Sequence, residues 1–559
     1  MSDYLTLRQR LEQRRAQLDL ERQSFISHWR ELNEYISPRS ARFLTTDRNK
    51  GEKRNQKIIN STATFALNIL RSGMMGGITS PARPWFMLQT PDPDLNEFAP
   101  VKEWLYDVTQ RMRTVLSKSN FYNAMPVLYH DIGLYGTHAM AILEDDEDVI
   151  RCYTFPIGSY MLANSSRLQI DTCVREFSMT TRQMADFFGK ENCSTRVQNL
   201  LDRGDYNTWI DVVHVIEPNV NYDGSKLDAR FKRYASIYYE KDTNERDRLL
   251  SESGFDTFPI IAPRWDVVGE DVYGSSPGMV ALGDVKQLQL EEKRKAEAID
   301  KLVRPPMNAP SSMRNRRASI LPGDINYVDV NQGQQGFTPA YQIDPRINEL
   351  MADIQAIEQR INRAFFADLF LMMTNMPGVQ PRTAEEIAER HEEKLLMLGP
   401  VLERMNDEAL EPTIDRVFEI MLRRGMLPPP PEELQGMPLK VEYTSIIAQA
   451  QKLVGAASIE RFTSFVGNLA AVKPDVLDRY DVDEAIDTYA EIVGAPPKLV
   501  VPLDEANAVR EQRAQQVAAQ QAMQMGMAAA QGAELLSKTD TASDNALTRI
   551  AQGLTGAPA

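Results

Sequence analysis

The sequence predicts an α+β protein that is mostly helical. Residues 3–36, 279–303 and 343–370 place apolar side chains at helical intervals. Residues 138–275 instead hold short β-rich runs bounded by turn residues. The composition, 43% hydrophobic and 25% charged over 559 residues, is that of an ordinary globular chain. That length suggests about three to four domains.

Charge and composition exclude several classes. The chain carries 63 basic and 78 acidic side chains, a net charge of −15. This argues against a protein that grips nucleic acid over much of its surface, because phosphate binding needs a cationic footprint. A local basic patch stays open. Cys152, Cys173 and Cys193 form an odd, sparse set with no C-x-x-C pair, so no disulfide framework is expected and a reducing compartment fits. None of the five histidines stands at metal-ligand spacing from a cysteine, and no cofactor is expected. Met1 to Arg15 is polar, without a secretory pattern. The longest strongly apolar stretch, Ala364 to Met373, is too short to span a bilayer and carries Asp368. The expectation is a soluble intracellular protein with no membrane partner.

In the first helix, 3–36, Leu5, Leu7, Leu11, Leu18, Phe25, Trp29, Leu32 and Ile36 recur among polar residues. Ser37-Pro38 stops it, because the residue before proline is driven out of the α region. A basic loop follows: Arg48, Lys50, Lys53, Arg54 and Lys57 around Gly51. A helix over 58–75 should end in the run Gly73-Met-Met-Gly76-Gly77. Thr79 to Phe86, with Pro81, Pro84 and Trp85, reads as a rigid turn with an aromatic anchor. Helices over 98–117 and 121–134 precede the mixed region. There, runs such as 139–143, 212–216, 235–239 and 258–262 read as strands, and 180–189 and 194–202 as helices.

Beyond Pro277 the chain is helical again. A helix over 279–303 carries the stripe Val285, Leu288, Ala296, Ile299 and Val303 and stops at Arg304-Pro-Pro306. It is about 37 Å long. A second long helix starts at Asp344 as N-cap with Pro345 at its first position. Ile347, Leu350, Ile354, Ile357, Ile361 and Ala364 follow 3-4-3-4-3 spacing, a heptad seam for near-parallel packing on its own chain or a neighbour. The insert between the helices has a basic part (Arg314, Arg316, Arg317), a β-like run 325–330 and the Gln/Gly-rich 331–336. Residues 371–381 read as an apolar, Met-rich loop. Thr383-Ala-Glu-Glu386 is a capping box. It opens a helix reaching about Gly425, interrupted at Gly399-Pro400 and kinked at Pro412. Pro428 to Pro431 mark a linker, 444–494 holds short helices, and the Ala/Gln/Met-rich 505–536 is helical except near Gly526, followed by a loose tail.

No motif places catalytic chemistry. There is no G-x-x-x-x-G-K-[ST] and no G-x-S-x-G. Glu144-Asp-Asp-Glu-Asp148 has the composition of a cation site but not EF-hand spacing, and a solvated turn is the better reading. His391-Glu-Glu-Lys lacks the second histidine of a zincin. His130 and His138 have no nucleophile placed with them in sequence and read as core or interface residues. The clusters 48–57 and 314–317 are solvated loops by default and contacts to nucleic acid or an acidic partner on the sharper reading.

Several local stretches together carry a family resemblance. Leu70-Arg-Ser-Gly-Met-Met-Gly-Gly-Ile-Thr-Ser-Pro-Ala-Arg-Pro-Trp-Phe86 comes first. His130-Asp-Ile-Gly-Leu-Tyr-Gly-Thr-His138, Phe155-Pro-Ile-Gly-Ser-Tyr160 and Arg175-Glu-Phe-Ser-Met-Thr180 follow. Pro263-Arg-Trp-Asp-Val-Val-Gly-Glu-Asp-Val-Tyr-Gly-Ser-Ser-Pro277 closes the set. From about residue 5 to 500 the chain resembles the portal proteins, or head-to-tail connectors, of short-tailed tailed bacteriophages.

The resemblance implies a portal-type protomer: an N-terminal α+β wing (1–277), a two-helix stem (278–303 and 343–370) and a small α/β clip (304–342). A channel loop (371–381), a kinked wing helix (382–425), a helical crown (426–500) and a C-terminal helical extension with a loose tail (501–559) follow. It implies a non-enzymatic ring, usually twelve-fold, at one capsid vertex. Double-stranded DNA passes through it weakly and non-specifically. The implied partners are other copies of the chain, the terminase packaging motor, tail adaptor proteins, and the major capsid and scaffolding proteins. The implied location is the virion, with the host cytoplasm during assembly. Leu371, Met372, Met373, Thr374, Asn375 and Met376 would face the DNA, Arg314, Arg316 and Arg317 would meet a clip partner, and Ile347, Leu350, Ile354, Ile357 and Ile361 would pack the stem. Charge agrees independently: twelve copies at −15 give −180, and an acidic wall lets DNA slide. Two other readings are a tail-adaptor or scaffold ring without DNA contact, and a metal-dependent nuclease using 144–148, whose activity would go when Asp145, Asp146 and Asp148 become Asn. Head nucleation and binding of the packaging ATPase would single out a portal. Metal dependence, lost on Asp-to-Asn substitution, would single out the nuclease.

Overall fold

A computed structural model describes residues 6–48, 51, 56–92, 95–96, 98–243, 245, 247–309, 314, 319, 338–340, 347–374, 398–434, 439–443, 459–470, 473–493, 500–501 and 503–537. The chain forms two compact units, Met1–Pro91 with Glu103–Lys452, and Asp92–Lys102 with Leu453–Ala559. The fold is α+β and mostly helical, as the periodicity predicts.

The first unit begins with α1, Leu7–Tyr35, opened by a capping box. Thr6 Oγ1 accepts from the Gln9 N–H and Gln9 Oε1 accepts from the Thr6 N–H, satisfying two otherwise orphan donors. Its inner face buries Leu11, Leu18, Ile26, Trp29 and Leu32. Leu11 and Leu18 lie on an antiparallel five-stranded sheet of order β4-β5-β6-β7-β8. The strands are β4 Tyr160–Asn164, β5 Ile170–Thr180, β6 Trp209–Pro218, β7 Tyr234–Glu240 and β8 Ser251–Phe255. Val213 and Val215 of β6 face α1, while Ile210 and Val212 pack with Met184, Phe188 and Val197 on the other side. Burial on both faces explains why 212–216, Val-Val-His-Val-Ile, does not alternate between apolar and polar.

Three more helices and a second sheet complete the N-terminal part. Helix α2 spans Thr62–Gly77, α3 Ala99–Lys118 and α4 Phe121–Tyr135. The glycine run reads as a stop for α2 near 75, yet Gly73, Gly76 and Gly77 all lie inside it. The reason is tertiary: a Cβ on Gly73 would stand 2.1 Å from Cδ1 of Phe370. Glycine here costs helix propensity and makes room for another helix. The aromatic anchor is buried, with Trp85 Nε1 donating to Tyr122 Oη at 3.1 Å. Strand β1, Phe86–Gln89, pairs with β12, Lys440–Tyr443. Strand β2, Ala139–Asp145, lies between β3, Val149–Phe155, and β9, Ile260–Ile261. Helices α5, Thr181–Phe188, and α6, Thr195–Asp202, lie where the sequence predicts them.

The long helices follow. Helix α7 spans Pro277–Val303, α8 Ile347–Ala364 and α9 Ala367–Thr374. Two expectations change here. The second long helix is not continuous to 370: it breaks at Phe365-Phe366, where Phe366 takes a left-handed φ of 54°. Leu371 to Thr374 are helical rather than loop. Leu and Met are good helix formers, and no glycine or proline intervenes before Pro377. The expected N-cap at Asp344 and residues 375–397, including His391 and the Thr383 capping box, lie outside the described residues. Helix α10, Gly399–Met405, carries Pro400 in its first turn. A π-helical turn, Asn406–Leu410, connects it to α11, Glu411–Arg423. The wider turn places Pro412 at the start of α11, where its missing N–H is tolerated, so a π-turn replaces the expected kink.

The second unit contains α12 over residues 459–470, α13 Val482–Val493 and α14 Leu503–Ser537. Arg510 of α14 pairs with Asp483 of α13, and Tyr489 Oη donates to Glu460 at 2.7 Å. Gly526 lies within α14, so the expected interruption there is absent. Residues beyond 537 lie outside the described set. Among the described residues, no helix is long and apolar enough to cross a membrane.

Candidate functional site

The candidate site is the stalk formed by α7 and α8, with the elements that root it. Its root joins two of the sequence stretches singled out above. Ser276 caps α7: its Oγ accepts from the Met279 N–H at 3.0 Å and donates to the Leu134 carbonyl at 2.7 Å. Pro277 occupies the first turn, where the missing N–H costs nothing. Gly136 ends α4 at φ 77°, and a Cβ on it would lie 2.2 Å from the Gly274 carbonyl. The Gly274 N–H donates to Thr137 Oγ1 at 2.9 Å, and the Trp265 N–H to the Gly136 carbonyl at 2.9 Å. The 130–138 and 263–277 stretches therefore form one junction from which α7 departs.

Arg264 ties this junction to the π-turn. Its Nη2 donates to Glu408 Oε1 at 2.7 Å and its Nε to Oε2 at 3.1 Å. Both side chains are largely buried. A two-point guanidinium–carboxylate contact fixes direction as well as distance.

Above the root, Ile354, Ile357 and Ile361 of α8 are buried, with α7 and α2 the helices packed on α8. Ile347 and Leu350 are only half-buried. The polar edges of this contact are also matched. Gln289 Oε1 of α7 accepts from the N–H groups of Ile59 (2.6 Å) and Asn60 (2.8 Å). Asn60 Nδ2 donates to Glu292 (3.2 Å) and Glu358 (2.9 Å), and Arg360 Nε donates to Asp284 at 3.0 Å. Farther along, apolar side chains lose their cover: Ile299 is 42% exposed, Leu302 44%, Val303 72% and Met351 46%. Beyond the helices, β10, Met307–Asn308, pairs with β11, Thr338–Pro339, so both ends of the insert meet.

Of the residues predicted to meet partners, Arg314 is exposed in a turn, while Arg316, Arg317 and the β-like 325–330 lie outside the described residues. Leu371 is 40% exposed on α9. Met372, Met373 and Thr374 belong to the same helix, and Asn375 and Met376 lie outside the described residues. Sequence reasoning missed the Arg264–Glu408 and Gln289–Asn60 connections, because each joins polar residues more than a hundred positions apart with no local pattern. The helical glycine at 73 was a usable signal for the α2–α9 contact.

The other chemical candidates are structural. Asp145 Oδ1 accepts from the N–H groups of Glu147 and Asp148, both at 2.9 Å, closing the β2–β3 hairpin. Glu144 and Asp146 pair with Arg423, the last residue of α11, and Arg424, its C-cap. Among the described residues, no group of three His, Cys, Asp or Glu side chains is placed to hold a metal. Asp131 receives Nδ1 of His130 at 2.9 Å and Nδ1 of His138 at 2.8 Å. Burial alone would raise its pKa, but these hydrogen bonds and the imidazole charges hold it below the usual carboxylate range. Ser37 Oγ contacts His130 Nε2 at 2.9 Å, so the cluster pins the chain just beyond α1 to α4. Burial pushes the Cys152 and Cys173 thiols up to about 12, away from thiolate chemistry.

Comparison with known proteins identifies the family. The chain is 55% identical over 554 residues to the "Portal protein" of Salmonella phage epsilon15, covering 99% of both chains. It is 46% identical over 553 residues to the "Probable portal protein" of Bordetella phage BPP-1, again covering 99% of both. A chain of the solved "Virion of native gene transfer agent (GTA) particle" matches at 13% identity and a TM-score of 0.33, covering 77% of this chain and 94% of that one. The profile of the family described as "Bacteriophage head to tail connecting protein" matches residues 8–501. The chain belongs to this family of head-to-tail connecting proteins, which are structural connectors and not enzymes.

Proposed function

We propose that the chain is the portal subunit of a phage capsid vertex, assembling into a ring that conducts double-stranded DNA during packaging and ejection. The observation that carries this reading is the match to a "Portal protein" along 99% of both chains. The exposed apolar residues of the distal stalk, Ile299, Leu302, Val303 and Met351, support the ring, since they fit contact with neighbouring copies. The net charge of −15 per copy supports a wall that holds phosphates weakly. In this reading α7 and α8 are the stem, the insert after α7 is the clip, residues 426–500 are the crown, and the extension 501–559 belongs to the second unit.

The C-terminal end of α9 and the two residues after it, together Leu371 to Met376, then face the DNA. Arg314, Arg316 and Arg317 dock an acidic surface of the terminase motor and later of the tail adaptor. The ring also nucleates head assembly with the major capsid and scaffolding proteins. Replacing 372–376 by a Gly-Ser segment tests the DNA-facing assignment: rings should form while packaging or DNA retention falls. Normal packaging and retention in that variant would refute it. Charge reversal at the three arginines should weaken motor docking and leave the ring whole.

A further inference from the structure

The wing contains a cavity of about 170 Å³ lined by four arginines from three parts of the chain: Arg22 of α1, Arg42 and Arg48 of the loop after it, and Arg175 of β5. Their partners are few. Arg22 is 6% exposed; its Nη1 donates to the Gly158 and Tyr160 carbonyls and its Nη2 pairs with Asp19 at 2.7 Å, but its Nε is buried without a hydrogen-bond partner. Arg175 lies between the rings of Phe155 and Phe177, 4.3 Å from each centroid. Arg48 lies over Trp209 at 3.3 Å. Among the described residues, Arg42, Arg48 and Arg175 form no ion pair and no side-chain hydrogen bond.

Two nearby carboxylates have other partners. Glu176, which also lines the cavity, is held by Arg15 and Lys241, each at 2.7 Å. Asp211, in the adjoining cavity, accepts from the Ser178 hydroxyl at 2.6 Å and the Thr45 hydroxyl at 3.0 Å. Burial pushes the pKa values of Arg48 and Arg175 down; the charge of Asp211 partly offsets this at Arg48, and the charge of Arg42 adds to it at both. Drawing the half-buried Arg175 out of water between two rings, with no ion pair of its own, is costly unless an anion comes beside it.

We infer that this cavity is a binding site for a phosphate group, held by Arg42, Arg48 and Arg175 with Arg22 as its floor. A phosphate carries about −1.5 to −2 at neutral pH, which suits three unpaired guanidiniums better than a single carboxylate does. At about 30 Å³ per water, the cavity holds roughly five waters' worth of volume, room for one such group and its hydration. Free orthophosphate and the terminal phosphate of a nucleic-acid strand share this chemistry.

The test is calorimetric titration of the full-length chain with sodium phosphate against chloride at matched ionic strength. Saturable binding at one site per chain is expected, weakened about tenfold or more in Arg42→Gln and in Arg175→Met. Arg42 is exposed on a loop, so R42Q keeps the test valid even where R175M folds poorly. Displacement of phosphate by a 5′-phosphorylated oligonucleotide, but not by its dephosphorylated form, identifies a strand terminus as the source. Retention of phosphate against both identifies the free ion. No saturable binding up to about 10 mM phosphate, or equal binding by R42Q and wild type, overturns the inference.

Discussion

Phe370 packs its ring where a side chain on residue 73 would be: a Cβ on Gly73 would lie 2.1 Å from Cδ1, 2.2 Å from Cγ and 2.8 Å from Cβ of Phe370. The two residues lock α9 onto α2, and α9 leads directly into the segment proposed to face DNA. Gly73→Ala should therefore destabilise by about 1–3 kcal/mol through overpacking, despite alanine's better helix propensity. Phe370→Ala should cost about 3–5 kcal/mol by opening a cavity. Denaturant unfolding of both single variants and the double should give strongly non-additive losses, since the alanine methyl at 73 then has room.

The buried pair Arg264–Glu408 holds the π-turn against the α4–α7 junction. Glu408→Gln removes the charge and one acceptor but preserves shape. It should cost about 1–3 kcal/mol, the range for leaving a buried charged group short of a partner. A midpoint shift without a change in denaturant slope would show that only the native state is affected.

His214 predicts a pH dependence. Its ring stacks on Tyr238 at 3.7 Å and its Nε2 lies 2.9 Å from Ser236 Oγ. Burial, then the charge of Arg175, lowers its pKa from 6.5 to about 3. Because the unfolded chain takes up this proton first, its contribution is complete above pH 6.5 and is lost as pH falls toward 3. The whole window is worth of the order of 5 kcal/mol. His214→Gln should flatten the stability slope between about pH 6.5 and 4 relative to wild type, read by urea unfolding at each pH.

The distal stalk predicts separable folding and assembly. Ile299→Ser with Val303→Ser changes two exposed side chains, so the single chain should lose no more than about 0.5 kcal/mol per site. Ring formation should fall sharply, read by native mass spectrometry beside a thermal melt. Intact rings in this variant would remove the proposed role of the distal stripe.

Much of the fold was legible because it depends on local periodicity. The 3-4 spacing of Ile354, Ile357 and Ile361 marks a buried face, and all three are buried. Ser276-Pro277 announces the start of α7 within two residues of its predicted position. What escaped was set by contacts distant in sequence. Gly73 reads as a stop until Phe370 is placed against it, and Pro412 reads as a kink until a π-turn absorbs it. Phe366 has no sequence mark of a left-handed residue, so the break between α8 and α9 was invisible. For the candidate site, the buried face of α8 at Ile354, Ile357 and Ile361 could be read from the heptad. The arginine cavity could not, since Arg22, Arg42, Arg48 and Arg175 meet only through the pairing of α1 with the five-stranded sheet.

We propose that this chain closes into a ring that DNA can traverse. Native mass spectrometry with electron-microscopic imaging of the assembled protein tests it most directly. At 63.3 kDa per chain, a twelve-membered ring has a mass of about 760 kDa. The account predicts a closed ring near that mass with a continuous bore wide enough for duplex DNA. A closed assembly whose bore is too narrow for a duplex, or an open filament with no bore, would contradict it.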